Sequence, residues 1–317
     1  MTDLAPIFLR QSIPDLVSNP PTDGGLRAWI GAATYGLSLG SAVGDVILSG
    51  IASSDFYPSL LSDYCRFAMA AHESLHKSFS TPFDKRATAW TLINRYYSAF
   101  FSAHALLRAH GRGVIWIDSG EAGRLEKLGL LYVGTQFKMR KGGYAFDFDP
   151  RNGYNAELKL SPLNYGGGSH DEFWRYFLAY LSEFGTLLLR TNVAGAAQAV
   201  ARFNEMRQII LTGGGGGVWF SFMRNEINYQ HKFGTWFPFK PSTSGGGMDD
   251  RILKQSNASI DLSASPITHP LKSFNSATCC LALLNSDLAQ LLKGRAGAGA
   301  ARLRTDWNRL ETLLDAI

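Results

Sequence analysis

An arginine and a histidine stand seven positions apart in the chain, and together they could do chemistry on a phosphodiester. They are Arg224 and His231, and Asn225 directly follows the arginine. On a helix, seven residues turn the chain through about 700°, which brings the second side chain back to within about 20° of the first. The spacing therefore predicts a polar stripe made of Arg224, Asn228 and His231. A neighbouring apolar stripe would anchor this helix on a core, and its members are Phe220, Met223 and Ile227.

RNA can be cleaved by its own 2′-hydroxyl group without a metal ion if three tasks are covered. A base takes the 2′ proton, an acid protonates the leaving 5′ oxygen, and a cation stabilises the charge that grows on the phosphate. Histidine, with an ordinary pKa of about 6.5, can be acid or base, and arginine stays charged with a planar set of donors that matches phosphate oxygens. Arg224 and His231 are thus candidate catalytic residues, and Asn225 or Asn228 could orient the imidazole or bind the phosphate. This helix carries one histidine, so a mechanism with two histidines would need a second subunit.

The same residues have an ordinary alternative, which is a solvated helix face. A chain of this composition contains about one Arg–His pair at spacings of five to seven by chance. A second pair is present, Arg66 and His72. Its spacing of six places the two side chains about 120° apart on a helix. Geometry therefore favours Arg224 and His231 over the second pair.

Composition indicates a folded and mildly basic protein. The chain has 317 residues, of which 45% are hydrophobic, enough for a sizeable core in one large domain or two smaller ones. The net charge of +5 and the sequence pI of about 9.1 mildly favour an anionic partner such as nucleic acid. Glycine runs predict surface connectors at 166–168, 213–217 and 245–247.

Cysteine usage and the start of the chain bear on the compartment. Cys65, Cys279 and Cys280 fit neither a disulfide framework nor a zinc pattern. The first residues lack a secretion signal, and the weakly charged stretch 29–52 is rich in glycine and serine, so we do not expect it to span a membrane. We therefore expect a soluble cytoplasmic protein that needs no metal and no cofactor.

Hydrophobic periodicity predicts a mainly α-helical chain with a small β-rich insertion at about 112–165. Residues 1–55 are interpreted as an N-terminal extension, and 56–317 as a helical bundle that contains the insertion. The predicted helices cover 55–79, 84–110, 171–190, 194–211, 218–232, 274–293 and 300–317. The predicted strands cover 130–133, 136–139, 144–148 and 156–160.

Two segments together suggest a family. The segment from Arg95 to Gly111 carries a double aromatic, small residues, further aromatics and an Ala-Leu-Leu ending, and Arg224, Asn225 and His231 follow much later. In this order, the segments resemble an early core helix of HEPN domains and that family's Arg-Asn-x-His signature. The resemblance implies an all-helical bundle that dimerises, often a metal-independent RNA endonuclease serving as a toxin or antiviral defence effector. It also implies that two Arg/His sets meet at a dimer interface in one composite site.

Further residues are candidates for binding substrate. Tyr229 could stack on a base, although a packing tyrosine is the simpler interpretation. Lys138, Arg140 and Lys141 would form a basic hairpin tip able to hold RNA phosphates, or a solvated turn. Three histidines are given structural roles: His104 and His110 as packed or capping residues, and His170 at a helix start.

The leading hypothesis is a HEPN-like endoribonuclease that cleaves single-stranded RNA as a dimer with a composite Arg/His site. An alternative is a non-catalytic HEPN-like module that binds a nucleotidyltransferase-type antitoxin or another partner protein. A third is a helical scaffold in which Arg224 and His231 coincide by chance.

Overall fold

The described part of the chain contains ten α-helices, one short 3-10 helix (Lys232–Gly234) and five strands. The computed structural model describes residues 4–78, 88–150, 155–163, 168–191, 194–236, 255 and 259–315, and it is 63% helical. None of the described helices combines the length and the apolar character needed to cross a membrane. The helices are α1 (Leu4–Arg10), α2 (Gly25–Ala32), α3 (Ser53–Lys77), α4 (Thr88–Ala109), α5 (Ser119–Val133), α6 (Ser169–Arg190), α7 (Ala196–Thr212), α8 (Trp219–Asn228), α9 (Pro270–Lys293) and α10 (Ala298–Asp315). The strands are β1 (Gly36–Leu39), β2 (Val46–Ile51), β3 (Arg112–Ile117), β4 (Gly142–Asp149) and β5 (Ala156–Pro162).

The prediction of a mainly α-helical bundle with a small β-rich insertion is wrong. The five strands form one antiparallel sheet in the order β1-β2-β5-β4-β3, so the fold is mixed α/β, although helices predominate. Strands β1 and β2 come from the first 55 residues and pair with each other, and β2 pairs with β5 of the insertion, for example Ile47 with Lys159. That pairing joins positions more than 100 residues apart, and local periodicity carries no information on such a partner.

Two of the four predicted strands are also wrong. Residues 130–133 are the last turn of α5, and 136–140 form an irregular connection to β4. Helix α5 begins at a capping box, in which the Asp118 carboxylate accepts from the Glu121 N–H at 2.9 Å and the Glu121 carboxylate accepts from the Asp118 N–H at 2.8 Å. It ends at Gly134, whose φ of 75° suits glycine. The predictions at 144–148 and 156–160 are confirmed as parts of β4 and β5.

The division into an extension of 1–55 and a bundle of 56–317 stays a prediction about domain organisation. In the structure, the first 55 residues also contribute to the buried interior. Phe8 of α1 stacks on His110 at a centroid distance of 4.1 Å and lies 4.9 Å from Phe184 of α6. Both ring nitrogens of His110 have partners there, since its Nε2 lies 3.0 Å from the Phe8 carbonyl oxygen and its Nδ1 lies 2.6 Å from the Tyr180 hydroxyl.

Aromatic packing fixes α4, α6, α8 and α9 against one another. Trp174 of α6 is fully buried, and its indole meets the Phe220 ring of α8 edge-on at 4.7 Å. Phe220 in turn lies 5.8 Å from Phe274 of α9. Trp174 also donates its indole N–H to the Tyr96 hydroxyl of α4 at 3.3 Å. These contacts decide which side chains of α4, α6 and α8 meet.

Candidate functional site

Helix α8 presents Arg224 beside an apolar stripe that is anchored in the core. The predicted apolar stripe is confirmed, since Phe220, Met223 and Ile227 are each at most 1% exposed. Arg224 itself is half-buried. The position of the arginine on this helix therefore follows from the periodicity of its apolar neighbours.

The predicted helical register between Arg224 and His231 is wrong, because α8 ends at Asn228. His231 lies beyond the helix with a φ of 52°, in the left-handed region that side-chain-bearing residues seldom adopt. The Trp236 indole N–H donates to the Ile227 carbonyl oxygen at 2.6 Å and so caps the final turn in place of a further helical N–H. His231 is exposed, with its ring 5.6 Å from that of Trp236. Arg224 and His231 therefore do not lie on one polar stripe of a helix.

Glu226 has a structural part in ending this helix. It is 5% exposed, and the Lys232 ammonium donates to its carboxylate. The ion pair joins α8 to the turn that follows it. A buried carboxylate needs such a partner because loss of hydration would otherwise favour its neutral form.

The Arg224 guanidinium lies between two tyrosine rings. Its central carbon is 5.6 Å from the centroid of Tyr96 on α4 and 5.9 Å from that of Tyr229, which follows α8. Both distances allow attraction between the cation and the negative face of a ring. The Arg224 Nε is buried and has no hydrogen-bond partner within the described part of the chain. Arg224 is thus held by ring contacts and is not neutralised by a described ion pair.

Tyr96 connects Arg224 to a histidine that the motif did not include. The Tyr96 hydroxyl lies 2.7 Å from Nδ1 of His170, in the first turn of α6. Tyr96 is fully buried, and burial raises its pKa to about 12, although donation by the Trp174 indole partly offsets this effect. The phenol therefore stays protonated at neutral pH. Three helices, α4, α6 and α8, contribute one polar side chain each to this cluster of Tyr96, His170 and Arg224, which we call the tyrosine-centred cluster.

His170 is electrically neutral at physiological pH. Burial lowers its pKa to about 4, and the positive charge of Arg224 contributes in the same direction. Its ring is 4.4 Å from that of Phe100 and 6.2 Å from that of Tyr97. The residue is nevertheless only half-buried, so it borders solvent. A neutral imidazole with Nδ1 held by a tyrosine has Nε2 free to accept or donate a hydrogen bond.

The remaining predicted site residues are spread along two segments. Asn225 and Asn228 are half-buried on α8, and Tyr229 is 70% exposed. Lys138, Arg140 and Lys141 are exposed, but they lie in the connection from α5 to β4, so the predicted hairpin tip is wrong.

The start of β4, which follows the basic connection, lies beside the start of α6. A Cβ atom added at Gly143, two residues after Lys141, would lie 3.1 Å from a carboxylate oxygen of Glu172. Glu172 is in the same helical turn as His170. The strand that follows the basic connection therefore begins near the end of α6 that carries the tyrosine-centred cluster.

The other Arg–His pair is separated by the fold. Arg66 lies near Asp63 at 3.9 Å, whereas the His72 ring packs on Trp307 at 4.8 Å. His104 is buried as predicted, stacked 3.8 Å from the Phe173 ring. Within the described ranges, no three His, Cys, Asp or Glu side chains group so as to hold a metal ion.

Sequence reasoning missed His170 and the polar role of Tyr96. His170 begins a helix, as predicted, and nothing in a helix-start pattern tells which other helix its ring faces. Tyr96 belongs to the double aromatic that the sequence predicts to be core, and the structure buries it. Its hydroxyl, however, contacts polar partners. The useful signal would have been a buried tyrosine, because a buried phenol needs hydrogen-bond partners.

The comparisons with known proteins leave the family open. No protein-family model, curated protein or solved structure matches this chain. The resemblance to HEPN domains therefore rests on the residues named above and on no wider similarity.

Proposed function

We propose that this protein is a metal-independent endoribonuclease that acts on single-stranded RNA, with Arg224 as the phosphate-binding cation. The observation that carries the proposal is the tyrosine-centred cluster, in which a half-buried guanidinium and an imidazole are held on one phenol. It supplies a fixed cation next to a proton-transfer group, and these are the components that cleavage by a 2′-hydroxyl requires.

In this proposal His170, and not His231, is the histidine nearest to the phosphate. The Tyr96 oxygen already accepts from Trp174, so the phenol can donate its own proton to Nδ1, which leaves Nε2–H as a donor to the phosphate. In the other tautomer Nδ1 donates to the Tyr96 oxygen, and the Nε2 lone pair takes the 2′ proton. An approaching phosphate would neutralise Arg224, one of the two causes that lower the pKa of His170. Substrate binding therefore raises the basicity of the imidazole at the moment a base is needed.

His231 is the candidate for the acid that protonates the leaving 5′ oxygen. It is exposed and lies three residues after the end of α8, two residues beyond Tyr229, whose ring faces Arg224. One chain therefore carries two candidate histidines, His170 on α6 and His231 after the end of α8. A homodimer with a composite site remains part of the proposal, but the count of histidines no longer requires it.

The substrate path follows from charge. The exposed Lys138, Arg140 and Lys141 precede β4, whose Gly143 lies beside the first turn of α6. They would bind phosphates on one side of the scissile bond, and Tyr229 would stack on an adjacent base. A role as a toxin or antiviral defence effector in the cytoplasm, with an antitoxin or other partner protein, is proposed from the HEPN resemblance alone.

The test is cleavage of a fluorescently labelled single-stranded RNA by purified protein in excess chelator. We expect Arg224→Ala to reduce the rate by about 10²- to 10³-fold, as for loss of a donor to a charged transition state. His170→Gln should reduce it by about 10²-fold or more through loss of the acid–base group. Tyr96→Phe should reduce it by less, since it removes only the hydroxyl that orients the imidazole.

Matched controls distinguish chemistry from general damage. Arg190→Ala removes an exposed arginine at the far end of α6, and His269→Ala removes an exposed histidine before α9. Both should cleave at the parent rate, and all variants should share the parent's thermal unfolding midpoint within a few degrees. Absence of cleavage by the parent protein, or parent-like rates for both Arg224→Ala and His170→Gln, would refute the proposed activity.

One observation favours the non-catalytic alternative. The end of α8 at Asn228 breaks the helical register that the Arg-Asn-x-His signature was expected to have. A HEPN-like module that binds a nucleotidyltransferase-type antitoxin or another protein would tolerate this break. It predicts no RNA cleavage and a stable complex that survives Arg224→Ala.

A further inference from the structure

A cavity lies away from the tyrosine-centred cluster. It has a volume of about 840 Å³ and is lined by α2, α3, α4, β3 and α5. Cavities of a few hundred to about 1,000 Å³ are typical of sites for small molecules. Neither Arg224 nor His170 lines it. The proposed nuclease activity therefore leaves this cavity without a role.

The lining carries an excess of positive charge. Four arginines line the cavity, against the two carboxylates Asp63 and Glu121, and Arg27 also pairs with Asp118, so these side chains sum to a charge of about +1. The arginines are Arg27, Arg66, Arg108 and Arg124. A cavity with this balance attracts an anion, since its walls exclude part of the screening water.

Ion pairs use up Arg27 but not the other three arginines. Arg27 donates to Glu121 at 2.9 Å and to Asp118 at 2.7 Å. Asp63, however, faces two guanidinium groups, with Arg66 at 3.9 Å and Arg108 at 3.8 Å. The Nε of Arg108 is buried without a hydrogen-bond partner in the described structure. One carboxylate thus serves two cations at distances too long for strong hydrogen bonds.

Arg124 is the arginine best placed to meet a ligand. It is exposed on α5, and its guanidinium extends over Gly31 of α2. A Cβ atom at Gly31 would lie 3.4 Å from Nη2 of Arg124, so the glycine gives the guanidinium room to lie across the helix. Because Arg66 is also more than half exposed, two guanidinium groups border the opening.

Aromatic side chains supply a flat apolar wall. Phe67 and Phe101 lie 6.3 Å apart, and both are half-buried. Trp116 of β3 is 51% exposed, and its partner across the sheet is Gly143, which has no side chain to cover the indole. A planar ring can therefore stack on Trp116 while an attached anion reaches the arginines.

We infer that this cavity binds a nucleoside monophosphate, with the phosphate on Arg66 and Arg124 and the base against Trp116. A phosphate monoester carries a charge of about −1.5 to −2 at neutral pH, which is opposite in sign to the excess on the lining. The same chemistry is offered by a free nucleotide and by the terminal phosphate of an RNA strand. The inference is independent of the proposed nuclease activity.

The experiment is isothermal titration of the full chain with AMP, adenosine, inorganic phosphate and a five-nucleotide RNA bearing a 5′-phosphate. We expect saturable binding of AMP, of the phosphorylated RNA, or of both, and at least tenfold weaker binding of adenosine and of inorganic phosphate. Arg124→Ala and Trp116→Ala should each weaken binding by about tenfold or more, since each removes a charged or stacking contact. The relative affinities of AMP and the RNA identify which source supplies the phosphate.

Two variants serve as matched controls. Arg190→Ala and Trp90→Ala remove an exposed arginine and an exposed tryptophan outside the cavity and should leave binding unchanged. Hydrogen exchange on the unmodified protein is a second readout, in which ligand should protect amides of β3 and α5. The inference is overturned if neither AMP nor the phosphorylated RNA saturates, if adenosine binds as tightly, or if the control variants weaken binding equally. Protection confined to other segments would overturn it as well.

Discussion

The pKa of His170 should rise when the charge of Arg224 is removed. The Arg224 guanidinium carbon lies 5.6 Å and the His170 ring 5.8 Å from the centroid of the Tyr96 ring, so the two charged groups are at most about 11 Å apart. At an effective dielectric constant of about 20, two charges at that separation repel by about 1.5 kcal/mol. Both side chains are half-buried, and solvent screening reduces this to about 1 kcal/mol. A change of 1.36 kcal/mol corresponds to one pKa unit. Arg224→Gln should therefore raise the pKa of His170 by somewhat less than one pKa unit.

The sign follows from which form the arginine disfavours. A neighbouring cation destabilises the imidazolium and so lowers the pKa, which burial has already lowered to about 4. Loss of the cation moves the pKa upward but not to its ordinary value, because the burial remains.

The assay is an NMR titration of the histidine ring protons between pH 3 and pH 8, with the His170 signal assigned from its loss in His170→Gln. Arg190→Gln is the matched control, since Arg190 lies at the other end of α6, about 30 Å away along the helix axis. It should leave the titration unchanged. An unchanged or lower pKa for His170 in Arg224→Gln would show that the two groups do not share a site, and the proposed mechanism would lose its basis.

Three further predictions concern stability. Phe220→Ala should lower the free energy of unfolding, measured by urea titration, by about 3–5 kcal/mol. Phe222→Ala, which removes a ring that is 40% exposed, should lower it by less than about 1 kcal/mol. Equal losses in the two variants would contradict the orientation of α8. Lys232→Ala should lower the free energy of unfolding by about 1–3 kcal/mol, because it leaves the buried Glu226 carboxylate unpaired. Adding Glu226→Gln to this variant should recover part of the loss. A double variant that is less stable than Lys232→Ala alone would count against the buried pair. Burial lowers the pKa of His110 to about 3, so the unfolded state binds more protons below about pH 6.5, and the free energy of unfolding should fall as the pH drops from 6.5 towards 3. Replacing His110 with Gln should flatten this dependence in thermal melts at several pH values, and an equally steep loss would refute this origin.

The local part of the candidate site could be read from the sequence. Phe220, Met223 and Ile227 recur with helical spacing, and the structure buries all three, so the side of α8 that carries Arg224 followed from periodicity alone. The end of the helix did not follow. It depends on the Trp236 indole, which returns from eight positions beyond Asn228 to bind the Ile227 carbonyl oxygen. A contact of this kind is formed by a turn and has no signal in the spacing of apolar residues.

The sequence by itself determined that Arg224 sits on an amphipathic helix, that the 95–111 segment is core, and that His104 and His110 are packed. Tertiary structure alone decided that His170 is the histidine on the Tyr96 hydroxyl and that β2 pairs with β5. The physical reason is the range of the interactions involved. Helical periodicity repeats within a few residues, so it can be recognised from neighbouring positions in the sequence. Strand pairing and contacts among three helices join positions that are dozens of residues apart, and they form only when the core packs.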